Sequence, residues 1–185
     1  MVADGLLVRK KGVGTKVANV GIFSSRMKNW MSFSQEMKML GIEVYNFELH
    51  VCWKIPNEEI RSFFGIEDES TNCLMLERLR GKKDFPFVHF ISYFNPSIPF
   101  TGDENFSNPL YETLRNKFGI NVKTSKEELS ARLAGDVLSK KLRISPADPV
   151  LVRKRLVYDV ENRPIEYNIG YYRADSFTYR IESEG

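Results

Sequence analysis

The sequence predicts an α+β domain: an antiparallel β-sheet with flanking helices, built from a β-α-β-β unit used twice. Three observations predict it. Runs rich in β-branched and aromatic residues alternate with short helices that carry recognisable caps. The stretch LMLERLRGKKDFPFVHFISYF aligns with LVRKRLVYDVENRPIEYNIGYYR, so that Arg78-Leu79 falls on Arg155-Leu156, Pro86 on Pro164, and Ser92-Tyr93-Phe94 on Gly170-Tyr171-Tyr172. Each of these hairpins follows a short helix ending in a similar triplet, Phe64-Gly65-Ile66 or Leu142-Arg143-Ile144. A unit repeated twice at this length favours one pseudo-symmetric sheet over a solenoid, with its helices on one face.

Taken in order, the chain opens with GLLVRKKGVGTKV, which reads as a β-hairpin with Arg9, Lys10, Lys11 and Lys16 around its Gly-Val-Gly turn. Such a hairpin is marginal by itself and needs something to pack on. Residues 18–30 lack a period and read as a linker. SFSQEMKMLG is a short helix: Ser32 and Gln35 fit a capping box, Ser34 is an alternative cap, and Gly41 stops it. IEVYNFELHVCWKI is a strand, and PNEEIRSFFGI a helix with Pro56 near its first turn and Gly65 near its end. CLMLERLR and PFVHFISYF are strands joined by a turn from Gly81 to Phe85. A long loop then leads to the helix LYETLRNKFG.

The next segment sets local against global signals. TSKEELSARLAGDVLSKKL has a capping box at Ser125 and Glu128 and apolar residues at helical spacing, which locally favours one helix over 126–142. The repeat requires a strand followed by a helix, with a break around Ala134 to Asp136. The repeat is given precedence: strand to about Arg132, then helix to Leu142. PVLVRKRLVYDVENRPIEYNIGYYR closes the plan as a hairpin.

Composition narrows the class. The 185 residues are 42% apolar and 28% charged, ordinary for a soluble globular domain. No run approaches the ~18 apolar residues of a membrane span, and no signal-peptide core opens the chain. A net charge of +3 does not by itself argue for nucleic acid. Two cysteines within apolar runs fit a reducing, cytoplasmic setting. Cys52 and Cys73 with His50 and His89 make a zinc site conceivable, but their spacing matches no zinc pattern; no metal or cofactor is expected.

No Ser-His-acid arrangement, nucleophile elbow or phosphate-cradling loop stands out, and both histidines sit inside strands. Binding is better supported than catalysis. Alternate strand residues share a face, which groups Phe90 and Ser92 with Val88 and Phe94, and Glu166, Asn168 and Tyr172 with Gly170. The second group is too polar for a dry core, and its glycine allows a close approach to the sheet. Arg78 and Arg80 share a face of the preceding strand. The bland reading pairs these charges with neighbours on a solvated face. Together they describe a small-ligand cleft with one acidic and one basic wall, near a helix start whose N–H groups suit an anion.

The stretch LSKKLRISPADPVLVRKRLVYDVENRPIEYNIGYYRADSFTY resembles the C-terminal signature of the UTRA domain, the effector-binding module of HutC-type GntR-family transcription regulators. MSFSQEMKMLGI resembles its opening, LERLR…P…SYF its first hairpin, and NPLYETLRNKFGI its middle helix, in order over residues 30–180. The resemblance implies a chorismate lyase-like fold and a homodimer formed through the sheet. It also makes the opening hairpin look like the wing of a winged helix-turn-helix domain, whose cations face DNA phosphate.

On that reading residues 1–19 are a remnant of the wing plus the start of the linker, 20–30 the linker, and 31–185 the effector-binding and dimerisation domain. Operator DNA is then contacted only through an N-terminal domain missing from this chain. The family's contacts map onto Ser32, Phe33 and Ser34, onto Arg78 and Arg80, onto Tyr111, and onto Glu166 and Tyr172. Phe90 departs from a common glutamate and Pro109 from the serine of sugar-phosphate binders, which favours a longer or partly apolar effector. Sugar phosphates, amino sugars and sugar–amino-acid conjugates are the classes implied for a repressor of this kind. A lyase on the same fold and a dimerisation module without ligand are the alternatives.

Overall fold

The computed structural model describes residues 32–180, together with the backbone of three short strands upstream: β1 (Leu7–Lys10), β2 (Gly14–Val17) and β3 (Phe23–Arg26). β1 and β2 pair antiparallel, Leu7 opposite Val17, as the opening hairpin requires. The wing role of Arg9, Lys10, Lys11 and Lys16 rests on side chains outside the described residues.

From Ser32 onward the elements are α1 (Phe33–Met39), β4 (Tyr45–Lys54), α2 (Glu58–Phe64), β5 (Cys73–Lys82), β6 (Phe85–Phe94), α3 (Leu110–Phe118), β7 (Val122–Leu133), α4 (Gly135–Leu142), β8 (Pro149–Asp159), β9 (Pro164–Arg173) and β10 (Phe177–Arg180). Six strands form one antiparallel sheet in the order β4-β5-β6-β9-β8-β7. That order is symmetric about the β6–β9 seam. The repeat alignment places Ile91 on Ile169, and these two residues face each other across the seam, so the pseudo-dyad passes between them.

The caps explain the helix ends. Ser32 and Gln35 form a complete capping box, Ser32 Oγ accepting from Gln35 N at 3.2 Å and Gln35 Oε1 from Ser32 N at 2.9 Å. Asn57, just after Pro56, caps α2, its Oδ1 accepting from Ile60 N at 3.0 Å. Gly65 ends α2 in the left-handed region, and Arg143, its counterpart in the repeat, adopts the same conformation at φ 56°.

β7 and α4 are separate elements, as the repeat demanded. Gly135 breaks the chain between them at φ +64°, and β7 is held in register on β8 from Val122–Asp159 to Leu133–Pro149. The apparent helical stripe does not bury as one: Leu133 and Val137 are exposed, while Leu138 and Leu142 are buried. Ser125 does not cap; its Oγ donates to Glu127 Oε1.

The expectation of helices on one face holds for the duplicated pair alone. α2 packs Ile60 and Phe64 against Cys73 and Tyr167, and α4 packs Leu138 and Leu142 against Leu79 and Val150. The opposite face is apolar at its two ends and takes the other two helices. α3 covers Leu74, Leu76 and Phe94 with Leu110 and Leu114; α1 covers Val88, Phe90 and Tyr172 with Phe33 and Met37. Between α1 and α3 that face is polar. A second correction concerns the linker: its residues Phe23–Arg26 form β3, which pairs in parallel with β10, an unforeseen strand.

Candidate functional site

The polar gap between α1 and α3 is the cleft. Its walls are Ser32, Phe33, Ser34, Arg78, Arg80, Phe90, Leu110, Tyr111, Arg155, Glu166 and Asn168, and it encloses about 360 Å³ including its mouth. Nine of the residues singled out from sequence therefore converge on one cleft. β5 delivers Arg78 and Arg80 two residues apart on one face, β9 delivers Glu166 and Asn168 likewise, and the start of α1 brings the Ser-Phe-Ser turn over them.

Arg78 and Arg80 are each only 7% exposed. Their Nε groups are buried without a hydrogen-bond partner. Arg80 Nη1 reaches Ser34 Oγ at 3.4 Å, and its guanidinium lies 5.0 Å from the Phe33 ring centroid. Burial, then the neighbouring charge of Arg78, pull the Arg80 pKa down to about 9, which leaves it charged at neutral pH. Burial also lowers Arg78, with Glu166 pulling the other way. An unpaired buried N–H donor on a cation costs free energy until something fills it.

Glu166 is the acidic wall, and it is already held. Ser92 Oγ donates to its Oε1 at 2.6 Å, Tyr111 OH donates to its Oε2 at 2.5 Å, and Asn168 Nδ2 donates to Ser92 Oγ at 2.9 Å. Burial and the adjacent carboxylate raise the Tyr111 pKa well above 10, so the phenol remains a neutral donor.

Two of the predicted residues do not face the cleft. Ser92 is fully buried behind Glu166 and positions it. Tyr172 is buried in an aromatic cluster, edge-on to Phe90 at 5.7 Å and against Phe177 at 4.3 Å. Gly170 does admit a close approach, but from the protein's own rings: a Cβ there would lie 2.9 Å from Phe90 Cε1 and 2.8 Å from Tyr172 Cε2. Nor does the helix start offer all its N–H groups, because the capping box already engages those of Ser32 and Gln35.

Sequence reasoning missed Arg155 and Leu110. The repeat held the signal for Arg155, since it aligns with Arg78 across the pseudo-dyad. Also missed was the buried ion network beneath the cleft. Arg153 Nη1 and Nη2 donate to Glu36 of α1 at 3.2 and 3.1 Å, and its Nε donates to Glu127 of β7 at 2.8 Å. Arg155 Nε lies 3.0 Å from Glu127, and Tyr179 OH of β10 donates to the same carboxylate at 2.6 Å. Among the described residues no group of three or more His, Cys, Asp and Glu side chains is gathered for a metal ion. His89 instead bonds Glu77 at 2.7 Å.

The model of the UTRA domain matches residues 41–178, most of the described fold. The chain belongs to the UTRA family. It is 25% identical over 179 residues to the HTH-type transcriptional regulator GgaR of Escherichia coli K12, covering 97% of this chain and 70% of that one. The crystal structure of PhnF from Mycobacterium smegmatis superposes with a TM-score of 0.77 at 18% identity, covering 100% of this chain and 80% of PhnF. The ligand-binding domain of a GntR-family regulator from Bordetella bronchiseptica gives a TM-score of 0.66 at 22% identity, over 77% of this chain and 90% of that domain. This is thus a UTRA domain of the kind carried by GntR-family transcription regulators, with the antiparallel α+β fold of their effector domains. No helix among the described residues is long and apolar enough to cross a membrane.

Proposed function

We propose that this UTRA domain is the effector sensor of a HutC-type GntR repressor. It binds a small polar anion in the α1–α3 cleft, and binding modulates how an attached DNA-binding domain holds its operator. The observation that carries this reading is the pair Arg78 and Arg80: two cations on one strand face, both buried, both with an unpartnered Nε. Arg155 also lines the cleft but is balanced by Glu127, so the surplus is that of Arg78 and Arg80 over the one lining carboxylate, Glu166. That surplus of cationic donors selects an anion. The names of the relatives, transcription regulators throughout, support a regulatory rather than an enzymatic role; on this reading the protein works as a cytoplasmic homodimer.

A thermal-shift screen of phosphorylated sugars, amino sugars, sugar–amino-acid conjugates and amino acids tests the reading. A true effector at 100 times its dissociation constant adds ~2.7 kcal/mol to stability. A screen in which no anion raises Tm in the native chain, or raises it equally in Arg78→Gln, would sink it.

A further inference from the structure

The cleft has one plugged end and one open end. Its floor is closed by Phe90, which is 4% exposed and set edge-on to Phe33 at 4.9 Å, over the glycine gap that Phe90 and Tyr172 fill. An organic body attached to the bound anion cannot sink past Phe90 into the space over Gly170, which the Phe90 and Tyr172 rings fill. At the other end the cleft meets a larger groove of about 510 Å³, including its mouth, between the start of α1, α3 and the start of β7. Ser32 and Tyr111 line both spaces and form the sill between them.

The groove is chemically equipped. Gln35 uses Oε1 in the capping box, which leaves its amide N–H groups for a guest. Glu112 and Arg115 stand one turn apart on α3, and among the described residues neither side chain has a hydrogen bond or an ion pair. Asn121 adds an amide, while Pro109 and Ile120 give apolar contact. An unpaired guanidinium at the far end of a path that begins at two buried arginines points to a second acceptor-rich group.

We propose that the effector is a two-headed polar metabolite carrying an anionic group at each end. One anion sits between Arg78 and Arg80, the hydroxylated body crosses the Ser32–Tyr111 sill, and an outer carboxylate or phosphate pairs with Arg115. Glu112 and Asn121 take hydroxyl or amine donors from the body. This deepens the effector-sensor reading and rests on it.

The test uses pairs of probes that differ at one end: glucose 6-phosphate against 6-phosphogluconate, and fructose 6-phosphate against fructose 1,6-bisphosphate. Calorimetry on the whole chain should show the doubly anionic member of at least one pair binding tenfold or more tighter. In Arg115→Gln that preference should fall below twofold while the singly anionic probe binds as before, and in Arg78→Gln both should weaken at least tenfold. Equal affinity within each pair, or a preference that survives Arg115→Gln, overturns the outer site while leaving the inner one standing. Binding of no probe, or binding indifferent to Arg78→Gln, overturns both readings. Arg115 is exposed on α3, so its substitution should leave Tm unchanged; a large drop would show a structural role and also count against the proposal.

Discussion

Arg153 of β8 grips Glu36 of α1 through both terminal nitrogens, at 3.2 and 3.1 Å, with the two side chains 3% and 5% exposed. This pair fixes the helix that carries Ser32 and Ser34 to the sheet that carries the arginines of the cleft. Removing one partner of a buried pair leaves an uncompensated charge and typically costs about 3–5 kcal/mol. Glu36→Ala should therefore destabilise the domain strongly, toward the low end of that range because Glu127 still faces Arg153. Urea denaturation read by far-UV circular dichroism measures it. A loss under 1 kcal/mol would show that the pair is not what seats α1.

Glu127 predicts the acid behaviour. Burial works against its ionised form, yet Arg153, Arg155 and Tyr179 together hold its pKa down from 4.5 to about 2. A carboxylate whose pKa is lower folded than unfolded stabilises the fold above the unfolded value. That stability is lost as pH falls through the folded one. Glu127 alone should contribute about 3 kcal/mol that fades between pH 4.5 and pH 2. Stability curves for the native chain and Glu127→Gln should converge below pH 2. Parallel curves throughout that window would refute the assignment.

Arg78 and Arg80 separate binding from folding. Within the apo domain Arg80 has a 3.4 Å bond to Ser34 and the Phe33 ring beside it, with its Nε unpartnered, and its removal relieves like-charge crowding with Arg78. Arg78, by contrast, also compensates the buried Glu166. Arg80→Met should leave stability within about 1 kcal/mol. A charge-assisted bond in a buried site is worth about 1.5–3 kcal/mol, so Arg78→Ala and Arg80→Ala should each lower anion affinity roughly tenfold or more. Titration calorimetry with the best anion from the screen decides. Unchanged affinity in both variants would make these arginines structural.

Gly170→Ala tests the closed floor. The added methyl meets ring carbons at 2.8 and 2.9 Å, so Phe90 and Tyr172 must move. Overpacking of this kind costs about 1–3 kcal/mol. Because Phe90 also lines the cleft, the variant should perturb anion binding as well as stability. A neutral result in chemical denaturation would mean that the rings yield freely and the floor is soft.

The sheet and its duplication were legible because periodicity two and the caps are local signals, and because two aligned hairpins can share one sheet in few ways. The repeat even overrode the helical letters of 126–142 correctly: β8 supplies β7 with a full ladder of partners that an isolated peptide lacks. By itself the sequence also determined that Arg78 and Arg80 share one face of their strand and that Glu166 and Asn168 share one face of theirs, since alternation within each strand settles that. The register of β5, β6 and β9 made the two faces one.

Tertiary structure decided the rest. Which helices cover which face depends on packing between segments far apart in the chain, so α1 and α3 were not foreseen on the polar side. That Gly170 receives the protein's own rings rather than a ligand follows from the register placing Phe90 opposite it. The ionic seat of α1 joins Glu36 to Arg153 across 117 positions. No local pattern encodes that pairing; it exists because folding removes both charges from water and brings them together, Arg153 being shared between Glu36 and Glu127.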